Sequence, residues 1–197
     1  MDKKLRIIGL AGTNGSGKDS VGQLLSQYHN YLFVSVTDPL RNELKARNLP
    51  ITRENLRMVS AELRRDQGLG VLVDMAMATY EAVKGKYKGI VIASLRHPGE
   101  ADRVHELGGI VIWVDADTHI RYERVQANAE ARGRSGEDNK TYEQFRLEEA
   151  SEMNGLVSDD DTALSMSAVK LLSDMQIDNS KSDQANLRFT VEKALSL

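Results

Sequence analysis

Seven residues, Gly12-Thr13-Asn14-Gly15-Ser16-Gly17-Lys18, carry the spacing G-x-x-x-x-G-K directly after the apolar run "LRIIGL". Glycines permit the backbone angles that turn successive N–H groups toward one point. A helix starting at Lys18 adds its free N–H groups and the positive end of its dipole. The lysine adds a mobile ammonium for the outer phosphates of a polyphosphate. A glycine-rich connector without a ligand needs neither the strand before it nor the helix after it. Gly12, Asn14, Gly15, Ser16, Gly17 and Lys18 are therefore candidate nucleotide-binding residues. Asp19 stands where a hydroxyl normally meets Mg²⁺. It can take the ion directly or through water, with Ser20 beside it, or it can simply place a negative charge at the helix N-terminus. Both readings stay open, and Asp19 and Ser20 are the candidate metal ligands.

A second set of residues suits an anionic partner. In "SVTDPLRNEL" (35–44), Asp38 and Arg41 flank the start of a helix beyond the second strand, and in "IVIASLRHPGEADRV" (90–104), Arg96 lies just past the third. Each is a candidate substrate contact. A planar guanidinium suits a phosphate bidentately. One such arginine is ordinarily an ion-paired surface residue, but two at strand ends beside a phosphate loop point to a binding site. Arg121, Arg124, Arg132 and Arg134 surround an exposed turn, "EARGRSGEDNK" (130–140). Glu123, Glu130 and Glu137 favour a surface of Glu/Arg pairs for Arg121 and Arg124. Arg134, between Gly133 and Gly136, is the better candidate for a lid residue closing over transferring phosphates. His97 adjoins Arg96 and could touch a substrate, although a surface histidine is the commoner role. His29, His97, His105 and His119 show no ligand spacing.

These residues need elements to hold them. Strands read at 5–10, 31–36, 89–94, 110–114 and 175–179. The first helix spans 18 to about 28, with Val21, Leu24, Leu25 and Tyr28 on one stripe. A helical block runs from 39 to about 84, broken at Asn48-Leu49-Pro50 and restarted by Thr52 as an N-cap. Pro98 suits the opening of the next helix and Gly108 its end. A helix from about 118 turns Tyr122, Val125 and Ala129 inward, and "TYEQ" (141–144) is a capping box. The acidic triplet Asp159-Asp160-Asp161 reads as a solvated helix entry before Thr162, Leu164, Ala168 and Leu171. The last helix carries Leu187, Val191 and Leu195. Trp113 and Met75, Met77 and Met153 read as core. Strands alternating with helices, rich in Ile and Val, imply a parallel sheet buried on both faces, a three-layer αβα sandwich of five strands with a small helical lid. Ligands in such folds sit beyond the strands' C-terminal ends.

The chain has 197 residues, 41% hydrophobic, with a net charge of −3. That suits one domain and argues against a nucleic-acid surface; within it, the segment carrying Asp38 and Arg41 is read as a 38–87 acceptor-binding helical region and the turn carrying Arg134 as a 130–140 lid-like segment. It holds no cysteine, which excludes disulfides, thiolate catalysis and Cys-zinc sites. No stretch reads as a signal peptide or a membrane span. The expectation is a cytoplasmic protein without membrane or nucleic-acid partners, of undetermined oligomeric state.

Taken together, "GTNGSGKD", "SVTDPLR", "IASLR", "ARGRSGED" and "IDN" resemble segments of the P-loop nucleoside monophosphate kinases, the group that includes adenylate, cytidylate and dephospho-CoA kinases. The aspartate after the lysine resembles the phage-type deoxynucleoside monophosphate kinases. "DPLRNELKARNLPITRENL", and "RGRSGED" followed by "YEQFRLEEA", look similar to small archaeal-type nucleotide kinases. The resemblance implies acceptor-phosphate roles for Arg41 and Arg96, a lid at 130–140, and a place near the adenine for Asn179. The family's strand-end aspartate appears here as Ala93 or Ser94, a loss for which Asp19 could compensate. The function expected is phosphoryl transfer from ATP-Mg²⁺ to a nucleoside or deoxynucleoside monophosphate, with Lys18, Arg41, Arg96 and Arg134 as catalytic residues. Two alternatives remain: a dephospho-CoA kinase, whose hydroxyl acceptor needs Asp38 as base, and a nucleotide-binding switch without an acceptor.

Overall fold

The computed structural model describes residues 7–128, 140–154, 161–181 and 183–197. Strands β1 (Ile7–Ala11), β2 (Tyr31–Ser35), β3 (Gly89–Leu95), β4 (Ile110–Asp115) and β5 (Met175–Asp178) form one sheet in the order β2-β3-β1-β4-β5. Every pairing is parallel. The expected αβα sandwich is present.

The apolar strands divide by alternation. Ile90, Ile92, Val111 and Trp113 face one core, with Leu44, Val59, Leu72 and Val104; Val91, Ala93, Ile112 and Val114 face the other, with Val21, Leu25, Leu187 and Val191. Successive strand residues point to opposite faces, so a run that reads as uniformly apolar supplies both layers. Trp113 and the three methionines pack in or against the first core.

Helix α1 (Lys18–His29) leaves β1 through the phosphate loop and ends on Asn30 in the left-handed region. The block expected from 39 to 84 is three helices: α2 (Thr37–Ala46), α3 (Arg53–Gln67) and α4 (Val71–Glu81), followed by a 3₁₀ turn at Lys84–Lys86. Thr52 caps α3 by accepting from the Asn55 amide at 3.2 Å. The second break falls at Gly68, whose φ of +98° ends α3.

Helix α5 (Pro98–Glu106) lies between β3 and β4, and α6 (Thr118–Ala127) follows β4. Helix α7 (Tyr142–Asn154) opens with the expected capping box, Thr141 and Gln144 exchanging hydrogen bonds of 2.9 and 3.2 Å. Helices α8 (Met166–Leu171) and α9 (Gln184–Leu195) complete the chain.

Two inward assignments are corrected. Tyr28 is 50% exposed, its ring covered by Arg188 at 3.9 Å, and Leu171 is 87% exposed. Each sits at the end of its helix, where the apolar stripe has turned off the sheet. Arg132, Arg134, Ala129 and the lid-like segment up to residue 139 lie outside the described residues, as do Asp159 and Asp160. Among the described residues, no helix is long and apolar enough to cross a membrane.

Candidate phosphate-loop active site

The loop leaves β1 and returns as α1, with Gly17 at the N-cap in the left-handed region and no side chain capping the helix. A helix N-terminus without a side-chain cap presents N–H groups that suit an anion. Gly15 and Gly17 have φ of +79° and +90°, and a Cβ on either would lie 2.4 Å from the Arg121 carbonyl oxygen or 2.2 Å from the Asn179 amide nitrogen. Both the backbone angle and the space demand glycine. Thr13 Oγ1 and Ser16 Oγ are buried without a hydrogen-bond partner among the described residues. Buried hydroxyls without partners are costly, and a phosphate would satisfy them. Lys18 is 8% exposed, its Nζ 3.4 Å from the Thr13 carbonyl. The residues present fit a nucleotide's phosphates.

Asn179, just past β5, is 7% exposed and donates its side-chain amide to the Ser16 carbonyl at 2.9 Å. It braces the loop from beneath. Its own carbonyl accepts from Arg124 Nη2 at 2.8 Å.

A cleft of about 550 Å³ opens beside the loop, lined by Asn14, Lys18 and Asp19 from the loop and α1, by Asp38 and Arg41 from α2, and by Ser94 and Arg96 beyond β3. The structure thus brings together the residues expected at three strand ends. Asp19 and Ser20 are both exposed, and of the two only Asp19 lines the cleft. Mg²⁺ is commonly held by one or two carboxylates plus substrate phosphates, a demand Asp19 can meet. Among the described residues, no cluster of three histidine or acidic side chains could hold a metal. Arg41 Nη1 lies 3.7 Å from Asp38, whose side chain is 59% exposed.

At the end of β3, Ser94 rather than Ala93 turns to the cleft. Ala11 pairs with Leu95 after Leu10 has paired with Ala93, so Ser94 is bulged out of the ladder. It sits at φ +70° on the cleft wall, while Ala93 is buried in the opposite core. A serine in the left-handed region costs about 1 kcal/mol, and bulges beside functional sites re-aim side chains in this manner.

Four further residues that sequence reasoning passed over line the same cleft. Arg53 and Arg57, one turn apart on α3, face Glu152 of α7 at 3.7 and 3.5 Å, and Arg96 Nη1 meets it at 2.9 Å. Burial works to raise the Glu152 pKa. The charges of Arg96, Arg53 and Arg57 outweigh it and hold the carboxyl below its ordinary value. The fourth, Arg64, pairs with Glu100 at 2.7 Å, both side chains fully buried. The i, i+4 spacing of Arg53 and Arg57 after the Thr52 cap was a visible signal. Glu152 had none, since it lies far away in the sequence.

Two expectations of solvent exposure are corrected. Arg121 is 3% exposed. Its guanidinium grips Glu149 with two bonds of 2.6 and 2.8 Å and the Ala116 carbonyl at 2.7 Å, joining α6 to α7 beneath the loop. His97 is 2% exposed and caps α5, its Nδ1 accepting from the Gly99 amide at 3.0 Å. Its neighbour Arg96 faces the cleft; His97 does not.

Comparison with known proteins agrees with this geometry. Residues 8–146 match the AAA domain family. A UPF0200 protein of Pyrococcus abyssi is 31% identical over 75% of this chain and 78% of its own length, and one of Pyrococcus horikoshii is 34% identical over 71% and 74%. In structure the chain resembles shikimate kinase from Bacteroides thetaiotaomicron, with a TM-score of 0.57 at 9% identity over 98% of this chain and 99% of that one. It also resembles a gluconokinase from Sinorhizobium meliloti, with a TM-score of 0.52 at 14% identity over 98% and 93%. The fold is that of the small P-loop kinases, and the chain belongs to the AAA domain family and is a relative of the UPF0200 proteins.

Proposed function

We propose that this protein is an ATP-dependent kinase that transfers a phosphoryl group to a small anionic acceptor, a nucleoside or deoxynucleoside monophosphate. One observation carries this reading: the phosphate loop and the arginines Arg41, Arg53, Arg57 and Arg96 open onto a single cleft. ATP bound with Mg²⁺ would supply the phosphoryl group, and the metal would neutralise charge developing on it. The loop's N–H groups, with Thr13 and Ser16, hold the donor phosphates, and Lys18 reaches the outer ones. Asp19, which lines the cleft, would hold the metal directly or through water. Arg41 and Arg96 orient the acceptor's anion in line. A phosphate acceptor needs no base, because phosphoryl transfer rests on positioning and charge stabilisation.

A second reading has a specific observation behind it. Asp38 projects into the cleft, largely exposed and beside Arg41, as a base for a hydroxyl acceptor would. The structural neighbours include kinases named for the hydroxy acids shikimate and gluconate.

The test is a screen of the purified protein with ATP and Mg²⁺ against all ribo- and deoxyribonucleoside monophosphates, dephospho-CoA, shikimate and gluconate, reading ADP release. Stimulation by a monophosphate supports the first reading. Stimulation only by a hydroxyl acceptor, abolished by Asp38→Asn, supports the second. ATP binding with slow hydrolysis that no acceptor accelerates would make the protein a nucleotide switch instead.

A further inference from the structure

Glu152 is the anion at the centre of the arginine cluster. It reaches Arg96 at 2.9 Å, Arg57 at 3.5 Å and Arg53 at 3.7 Å, and its side chain is 7% exposed, against 32, 50 and 31% for those of the three arginines. The carboxylate is nearly buried at the cleft wall, while the guanidiniums are partly exposed. The charges are unequal too. Arg53 has a further carboxylate, Glu148 at 2.8 Å, but Arg57 and Arg96 converge on Glu152. Each guanidinium offers five donors in a planar fork, far more than one carboxylate can accept. The three arginines line one cavity together with Arg41. The partners come from separate parts of the fold. Arg53 and Arg57 are on α3 and Arg96 follows β3, whereas Glu152 arrives on α7, so it can part from the arginines without disturbing the elements that carry them.

We propose that Arg53, Arg57 and Arg96 form a subsite for the anionic group of the acceptor, that Glu152 is the anion the chain itself places there, and that an acceptor binds by taking these guanidiniums over from Glu152. The word acceptor rests on the kinase reading above; the anion subsite does not. The shared chemistry is that of a phosphate monoester or a carboxylate, both of which match the guanidinium fork. Exchange of one anion for another leaves the guanidiniums facing a negative charge throughout and spares the arginines a separate desolvation. It also gives selectivity, because a neutral ligand cannot displace Glu152.

The test is calorimetric titration of the full chain, without nucleotide, by inorganic phosphate and separately by acetate. Glu152→Gln should bind phosphate about tenfold tighter than the unmodified protein, the size of one charge-assisted contact no longer competed for. The gain should vanish when Arg53→Gln and Arg57→Gln are added. Phosphate seated in the Gly12–Lys18 loop is indifferent to those two arginines, so their effect separates the sites. A larger gain for phosphate than for acetate assigns the subsite to a phosphate monoester, and the reverse to a carboxylate. Equal or weaker binding of both anions by Glu152→Gln, or a gain that survives loss of Arg53 and Arg57, overturns the proposal. Should Glu152→Gln fail to fold, the Arg53→Gln/Arg57→Gln protein carries the test. Its phosphate affinity must fall about tenfold by the same contact arithmetic, and an unchanged affinity overturns the proposal. Anion exchange without ADP release in the acceptor screen would leave the subsite standing and remove the kinase reading; ADP release without anion exchange would do the opposite.

Discussion

Arg64 and Glu100 meet at 2.7 Å with side chains 2% and 0% exposed, 36 residues apart in sequence. Glu100 gives its other oxygen to the backbone amides of Arg96 and His97, at 2.8 and 3.2 Å. The pair therefore ties α3 to the turn that presents Arg96 to the cleft. Its strength is asymmetric, since a buried ion left without its partner costs far more than the pair contributes. Glu100→Ala should destabilise the protein by about 3–5 kcal/mol, read as a lower denaturation midpoint. In whatever fraction stays folded, anion binding through Arg96 should weaken as well. A loss below about 1 kcal/mol, typical of an exposed pair, would show that the turn does not depend on this contact.

The brace between Asn179 and the phosphate loop makes a prediction about binding rather than folding. Asn179→Ala removes the donor to the Ser16 carbonyl and leaves that carbonyl buried, at a cost of about 1–3 kcal/mol. Much of it should fall on the loop's geometry, so ATP affinity should drop at least about tenfold by calorimetry, with a smaller change in the melting temperature. Gly17→Ala should behave similarly or worse, because its Cβ would meet the Asn179 amide at 2.2 Å and its φ is +90°. Unchanged ATP affinity in both variants would remove Asn179 from the site.

The loop was legible because its chemistry is local: seven consecutive residues hold the glycines, the lysine and the helix start. The strands were legible for a similar reason, and Thr52, Pro98 and Gly108 marked helix ends through backbone chemistry confined to a few residues. Arg41 and Arg96 were found because the ends of parallel strands converge on one edge. Glu152, Arg64 and Glu100 were not found, since their meaning lies in contacts between residues 36 to 99 positions apart, and no periodicity records those. Arg121 shows the error in the other direction. Its neighbours Glu123 and Glu130 suggested surface pairing, but its partner is Glu149 on another helix, and tertiary packing overrode the local pattern.

Lys18→Ala tests the loop's chemistry directly. The helix N-terminus and glycines remain, so nucleotide should still bind. What is lost is the mobile charge that follows the outer phosphates, and turnover with the acceptor found by screening should fall about 10²–10³-fold, the scale of one transition-state donor. Asp19→Ala should weaken the dependence of turnover on Mg²⁺ if the aspartate holds the ion. An Mg²⁺ titration identical to that of the unmodified enzyme would assign Asp19 to the helix dipole alone.

His97 predicts an acid limb in the stability profile. Burial, then the positive charge of Arg64, lower its pKa from 6.5, against the opposing pull of the Asp161 carbonyl. The hydrogen bonds agree: Nδ1 accepts from the Gly99 amide, so the ring's proton sits on Nε2 and is donated to the Asp161 carbonyl at 2.7 Å. In the unfolded chain the imidazole takes its proton at the ordinary 6.5. Between that value and the lower folded one, the unfolded state binds more protons, so stability rises with pH. The contribution of His97 is complete above pH 6.5 and is lost as the pH falls from there through the folded value. Denaturant midpoints of the unmodified protein should therefore decline from pH 7 to pH 5. His97→Asn keeps a capping oxygen for α5 but carries no titrating group, and its midpoints should decline less over the same range. Parallel slopes for the two proteins would assign the acid loss to another group.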